Sequence, residues 1–294
     1  MCGARISARY LAVEALTGVV FALVWVTRGV SGPWVAIAFC LFAGALLVAT
    51  FIDLEHLIIP DEITLGGTVV GLALSVAVPG IHASQYVWPS LRAAGLGALL
   101  GAGVIYAMME LGKLLLGRQR FQLPVGARLV FTETDLHLPD RTLPYEDVFY
   151  RMSDTLTFQA ERLELVDRGY RNVKVRLRLR AGVLWIDDEE VDASTVPWME
   201  GVAEEVTVPR EAMGFGDVKF MGAIGAFVGW QGVLFTLLGS ACGALLINVV
   251  MIALGRREWS ARIPYGPYLA AAALGWVLGG HHLWDAWLRT FGGL

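Results

Sequence analysis

The chain has 294 residues, 56 % of them hydrophobic and 17 % charged, with a mean hydropathy of +0.58. A soluble domain carries about 25 % charged residues, so composition excludes a uniformly soluble globule. The formal net charge of −4 argues against a nucleic-acid binder. The charge is concentrated: residues 118–211 hold 18 acids and 13 bases, leaving 19 charges for the other 200 residues. That distribution describes a membrane protein with a soluble insert. Cys2, Cys40 and Cys242 cannot make a disulfide framework. The first apolar run is a full span with no cleavage-type exit, so it does not read as a cleaved signal peptide.

A membrane-crossing helix needs roughly 20 apolar residues. Residues 10–28 and 33–52 qualify, separated by a Gly-Val-Ser-Gly-Pro turn at 29–33. Residues 63–80 follow, then 91–116 with Glu110 and Lys113 near its far end. After the insert, 217–229 is apolar but reaches only about 20 Å at 1.5 Å per residue. Residues 231–254 and 265–281 complete seven membrane segments. Odd parity places the termini on opposite sides. Arg5, Arg9, Lys113, Arg118, Arg120, Arg256, Arg257 and Arg262 gather on one side, against Arg28, Arg92 and Arg289 on the other. The first side is expected to be cytoplasmic, with the N-terminus and the insert, leaving the C-terminus outside. Gly97/Gly101, Gly225/Gly229 and Gly239/Gly243 stand four apart in apolar segments, a spacing that lets helix backbones approach closely.

The insert reads as a small antiparallel β domain. Residues 173–180 alternate strictly, apolar on one face and basic on the other (Lys174, Arg176, Arg178, Arg180). Residues 128–136, 155–166, 182–186 and 202–208 are further strand candidates. Turn chemistry separates them at Pro139-Asp140, Asp167-Arg168-Gly169 and the acidic run Asp187–Glu190. The basic face reads as a solvated sheet face, with contact to anionic headgroups as the sharper alternative. The expected organisation is a helical membrane half at 1–117, the insert at 118–211 and a second membrane half at 212–294.

Nine acids lie outside the insert, and an acid at the end of a span is costly unless it has a partner or a task. Asp53 directly follows the second span in Phe51-Ile-Asp-Leu-Glu-His-Leu-Ile-Ile-Pro-Asp61, and Asp217 closes Gly214-Phe-Gly-Asp. Both fall at cytoplasmic helix ends and can meet in a bundle. Gly214 and Gly216 allow unusual backbone angles and close approach of another chain. Two carboxylates in one site do not both ionise easily; one keeps its proton and the other acts as base on a water, as in aspartic peptidases. The bland alternative is that each acid caps or solvates its own helix. Asp61, after Pro60, reads as an N-cap. Lys219 reads as a snorkelling cation, with a role beside the acids as the alternative. Glu55, His56 and Glu62 read as loop-solvating, and Pro264–Pro267 as a structural turn that opens the last helix.

Taken together these segments resemble the type IV prepilin peptidases, membrane aspartic peptidases of the Gly-x-Gly-Asp kind. The resemblance is carried by Ile6-Ser-Ala-Arg-Tyr-Leu-Ala-Val-Glu14, by Asp53 to Asp61, by Met213-Gly-Phe-Gly-Asp-Val-Lys-Phe220 continuing to Gly229-Trp-Gln, and by Pro264-Tyr-Gly-Pro-Tyr268. It covers about 200 residues of the membrane part and leaves the insert unexplained. It implies Asp53 and Asp217 as the catalytic pair, with Gly214, Gly216, Lys219 and Asp61 supporting them. The implied substrates are prepilins or prepilin-like secretion proteins with short basic leaders, cut beside the bilayer; no cofactor or metal is implied for this chain. Leu11 stands where the family usually has proline. Longer members carry a zinc-type pair of Cys-x-x-Cys motifs and a methylating domain. Only Cys2 of that pattern is present, and one thiol cannot build a tetrahedral zinc site, so no methyltransferase activity is expected. Either this is a peptidase-only form or its start lies upstream. Two competing readings are a proton- or ion-coupled transporter, for which no inverted repeat is visible, and a non-catalytic assembly protein acting through the insert.

Overall fold

The structure is a computed structural model that describes residues 8–116, 118–149, 152, 154–209, 214–255 and 264–291. Cys2, Arg5, Met213, Arg256, Arg257, Glu258 and Arg262 lie outside the described residues. In chain order the elements are helices α1 (Ala8–Arg28), α2 (Pro33–His56), α3 (Asp61–Ala77) and α4 (Val87–Leu116), then strands β1 (Arg118–Gln122), β2 (Arg128–Phe131), β3 (Asp135–His137) and β4 (Thr142–Pro144). A single turn, α5 (Tyr145–Val148), leads to β5 (Leu156–Leu165), β6 (Gly169–Arg178), β7 (Val183–Ile186), β8 (Glu189–Asp192), β9 (Met199–Val202) and β10 (Glu205–Pro209). The chain closes with α6 (Phe215–Ala253), α7 (Gly266–Gly275) and α8 (His281–Phe291). It forms two compact units, one helical (up to Met108 and from Gly214) and one β-rich (Met109–Met213).

In the helical unit, four of the described helices are long and apolar enough to cross a membrane: Arg9–Ser31, Pro33–His56, Val87–Gly112 and Phe215–Ala253. Two expected spans are shorter than anticipated. α3 has 17 residues and stops at Ala77, two residues before Pro79. The 265–281 segment is the 10-residue α7 followed by a π turn, Trp276–Gly280, where Gly279 (φ 146°) redirects the chain into α8. The segments 217–229 and 231–254 are halves of α6, parted at Gly229 (φ 70°, ψ 178°).

The front half of α6 is the centre of this unit. Val218 and every residue from Phe220 to Gly229 are buried, as expected of a segment that is apolar all round. Its neighbours approach through glycines. A Cβ on Gly97 or on Gly225 would collide with the other's carbonyl oxygen, one on Gly101 would lie 2.5 Å from the Met221 oxygen, and one on Gly71 would lie 2.8 Å from the Ala226 Cβ. The Gly97/Gly101 and Gly225/Gly229 spacings are therefore packing devices that join α4 to α6, whereas Gly239 lies against Ala272 of α7. Phe42 of α2 stacks on Phe227 at 4.5 Å.

The break at Gly229 interrupts the hydrogen-bond ladder at the Ala226 carbonyl, and a freed carbonyl needs a partner where water is scarce. His82 supplies it from the connection between α3 and α4, with Nε2 3.2 Å from that oxygen. Burial pushes the His82 imidazole down to about 4, with the bond to Ala226 offsetting part of the shift.

The β unit is a ten-stranded antiparallel sheet in the order β4-β3-β2-β9-β5-β6-β7-β8, with β10 pairing both β5 and β1. Alternation places Leu156, Phe158 and Ala160 of β5 and Val173, Val175 and Leu177 of β6 in one core. The outer face of β6 carries Lys174, Arg176 and Arg178, and both arginines lie over the Trp185 ring, at 5.7 and 5.1 Å. Arg180 is not part of that face. It sits in a 3₁₀ turn, Leu179–Ala181, and its Nε donates to the Phe149 carbonyl at 2.6 Å. The candidate strand 128–136 is two strands, because Thr132 turns the chain with its N–H on the Asp135 carbonyl at 3.0 Å. In the acidic run, Asp187 takes the left-handed turn (φ 53°), whereas Glu189 and Glu190 begin β8, an acidic strand at the sheet's edge. Strands β1, β4, β8 and β9 and helix α8 were not anticipated from the sequence.

Gly225→Ala is expected to lower stability in detergent by about 1–3 kcal/mol, since the backbone contact has no room for a methyl group. Gly66→Ala, with nothing within 4 Å, raises it by about 0.5–1 kcal/mol through helix propensity; thermal unfolding distinguishes the two signs. Because the native state refuses the proton that unfolded His82 accepts, stability falls as pH drops from 6.5 towards about 4. His82→Gln flattens that part of the pH–stability curve.

Candidate active site

Asp53 lies in the last turn of α2 and is 5 % exposed. The helix stops there because Leu57 takes a left-handed conformation (φ 54°) and donates its N–H to the Asp53 carbonyl at 3.0 Å. Ile58, Ile59 and Pro60 then carry the chain to α3. Asp217 is in the first turn of α6, its N–H 3.2 Å from the Gly214 carbonyl. Gly214 has ordinary extended angles (φ −72°, ψ 147°), so it does not supply the unusual backbone expected of it. Gly216 lies against Ile59, but a Cβ there would make only an ordinary 3.7 Å contact, so the close approach expected of it does not require glycine. The two carboxyl groups, from segments far apart in the sequence, lie within electrostatic reach of each other.

The Pro264–Pro267 turn does more than open α7. The Gly266 N–H donates to Asp53 Oδ2 at 3.0 Å. A Cβ on Gly266 would lie 2.7 Å from that oxygen and 3.2 Å from Ile59 Cδ1, so the contact requires glycine. Beside it, the Tyr265 hydroxyl is 2.8 Å from Ser240 Oγ, and Ser240 itself bonds to the Leu237 carbonyl at 3.0 Å. With Ser240 donating there, Tyr265 donates to Ser240. Tyr265 also lies within electrostatic reach of Asp217. Sequence reasoning did not assign Gly266, Tyr265 or Ser240 to the site. The available signal was a glycine held between Pro264 and Pro267 at a helix start.

Asp61 does not cap α3. Pro60 occupies the cap position without a side-chain cap bond, and Asp61 turns to Lys219 instead, with Nζ 2.7 and 2.9 Å from its two oxygens. Lys219 therefore does not snorkel to solvent; it ties the first turn of α6 to the first turn of α3. Asp61 is 59 % exposed, so the pair is worth at most about 1 kcal/mol. Its contribution is registration more than stability. Glu55 pairs with Arg9 of α1. Among the described residues, no group of three or more His, Cys, Asp or Glu side chains is placed to hold a metal ion. What the arrangement offers chemically is a pair of carboxyl groups at helix ends, one of them fixed by a backbone N–H.

The Type IV leader peptidase family matches this chain over residues 40–119 and 181–249, segments that include both Asp53 and Asp217. The "Prepilin leader peptidase/N-methyltransferase" of Aeromonas salmonicida (strain A449) is 25 % identical over 280 residues, 94 % of this chain and 59 % of the relative. The protein of the same name from Xanthomonas campestris pv. campestris is 44 % identical over 86 residues, 28 % of this chain and 29 % of the relative. "Leader peptidase HopD" of Escherichia coli is 38 % identical over 82 residues, 27 % of this chain and 48 % of the relative. The chain thus spans less than two thirds of the length of these relatives. No solved structure matches it. With both acid-bearing segments inside the matched regions, the chain belongs to the type IV leader peptidase family.

Proposed function

We propose that this chain is an aspartic endopeptidase that removes the leader peptide from type IV prepilins or prepilin-like secretion proteins, and that Asp53 and Asp217 are its catalytic pair. The observation that carries the reading is that α2 and α6 bring these two acids within electrostatic reach, with Asp53 oriented by the Gly266 N–H. Like charges at that range favour a state with one proton between them. The carboxylate member takes a proton from a water as it attacks the scissile carbonyl; the protonated member donates to that carbonyl's oxygen. On collapse of the tetrahedral intermediate, a proton passes to the leaving amine. Lys219 and Asp61 hold α6 in register, and Gly216 lies against Ile59.

The membrane arrangement belongs to the same proposal. Seven segments, with α6 counted as two and α3 and α7 as short ones, sit in the cytoplasmic membrane, with the N-terminus and insert cytoplasmic and the C-terminus outside. Domain limits at 1–117, 118–211 and 212–294 follow from the charge distribution. The substrate's apolar helix lies in the bilayer, so its scissile bond meets the acids at the cytoplasmic surface. No methyl transfer is assigned to this chain, because Cys2, Cys40 and Cys242 stand too far apart in sequence for a Cys-x-x-Cys pair.

The test is cleavage of a model prepilin in proteoliposomes. Asp53→Asn and Asp217→Asn keep side-chain size and remove ionisation. Each is expected to lower the rate by about 10³-fold or more while still inserting; variants that cut at the wild-type rate overturn the assignment, and so does an inactive, folded wild type. Gly266→Ala displaces the Asp53 carboxyl and is expected to cost about 10–100-fold in kcat. Gly214→Ala, whose Cβ would be an ordinary 3.6 Å from Asp217 Oδ2, costs far less.

A further inference from the structure

The β unit contains a cavity of about 280 Å³. Its walls include Phe131, Leu177, Leu184 and Met199, all buried core residues. Ligand pockets combine such apolar walls with a few polar groups that fix orientation. Of the four polar side chains on this lining, two are already occupied. Ser194 Oγ bonds to Asp192 Oδ1 at 2.7 Å, and Thr132 Oγ1 to the Asp135 carbonyl at 3.1 Å. Two are left.

The first is Tyr145. It lines the cavity and is 7 % exposed. Its backbone is fixed, with the N–H on the Thr134 carbonyl at 2.8 Å, and its ring meets Phe149 edge-on at 5.7 Å. Its hydroxyl has no hydrogen-bond partner among the described residues. Burial, and then the charge of Asp135, push the phenol above its ordinary range, so it remains a donor. The hydroxyl is open to the cavity rather than sealed from solvent, so a ligand that accepts its hydrogen bond takes the place of water there. The second is Glu133, in the exposed turn between β2 and β3. Among the described residues it is the one charged side chain on the lining, and it makes no ion pair with them.

We infer that this cavity binds a small amphiphilic cation: an apolar, aromatic body of roughly a dozen non-hydrogen atoms, with a hydrogen-bonding group at the Tyr145 end and an ammonium group at Glu133. The same chemistry is offered by a free aromatic amine and by a tyrosine beside a lysine in a peptide. The site is independent of the acid pair and of the peptidase reading.

The test is calorimetric titration of the full chain in detergent with tyramine, phenethylamine and the dipeptide amide acetyl-Lys-Tyr-NH₂. Tyramine is expected to bind saturably at one site. Tyr145→Phe weakens tyramine about tenfold, the value of one hydrogen bond, and leaves phenethylamine nearly unchanged. Glu133→Gln weakens both amines about tenfold, and the difference shrinks with added salt. Tyr145→Phe leaves the thermal midpoint nearly unchanged, because the hydroxyl it removes has no partner among the described residues. A dipeptide that binds more tightly than tyramine supports the site with a peptide as its source; the reverse order supports it with a free amine. No saturable binding of any probe up to about 10 mM, binding that neither variant changes, or a clear loss of stability in Tyr145→Phe overturns the proposal.

Discussion

The helical unit depends on one close approach: the front half of α6 lies against α4 with backbone touching backbone at Gly97 and Gly225. Apolar surface gives no preference between a lipid tail and a leucine, so depth of packing inside a bilayer comes from shape. Glycine provides that shape here. The contact fixes how far α6 slides along its neighbours, and with it the height of Asp217. Substituting any larger residue would move the acid along with the helix.

Around that helix the site is held by weak but directional links. Asp53 receives the Gly266 N–H, and Lys219 of α6 reaches Asp61 of α3. Neither link supplies much stability: a hydrogen bond contributes about 1 kcal/mol and a half-exposed ion pair less. They do set angles and register. The large favourable term is packing, in which Phe42, Phe227 and the residues from Phe220 to Val228 take part. Packing places the acids near each other, and the polar links decide how they point.

Much of this was legible in the sequence because membrane helices have a strong compositional signature. The spans at 10–28, 33–52 and 91–116 correspond closely to α1, α2 and α4, and the break in α6 falls at Gly229, where the apolar run was divided. The long hairpin of β5 and β6 was also visible through its alternation. Short strands such as β4 and β8 were not, since three or four residues give too little period to recognise. Tertiary partners were hidden as well. Local rules made Asp61 a helix cap, and a cation far along the chain took it instead. Gly266 looked like turn chemistry because the atom that needs its missing side chain, Asp53 Oδ2, belongs to another helix.

The first and last strands of the β unit pair with each other, Arg118 opposite Pro209 and Gln122 opposite Glu205. Antiparallel neighbours at such positions are about 5 Å apart, so the chain enters and leaves this unit at nearly one point. The family match also omits residues 120–180, the body of that unit. In evolutionary terms, a module whose two ends meet can be gained or lost at a single junction without asking the flanking helices to move. A short turn would bridge the gap, so the sheet can diversify in sequence and partners while the helical unit stays under its own constraints.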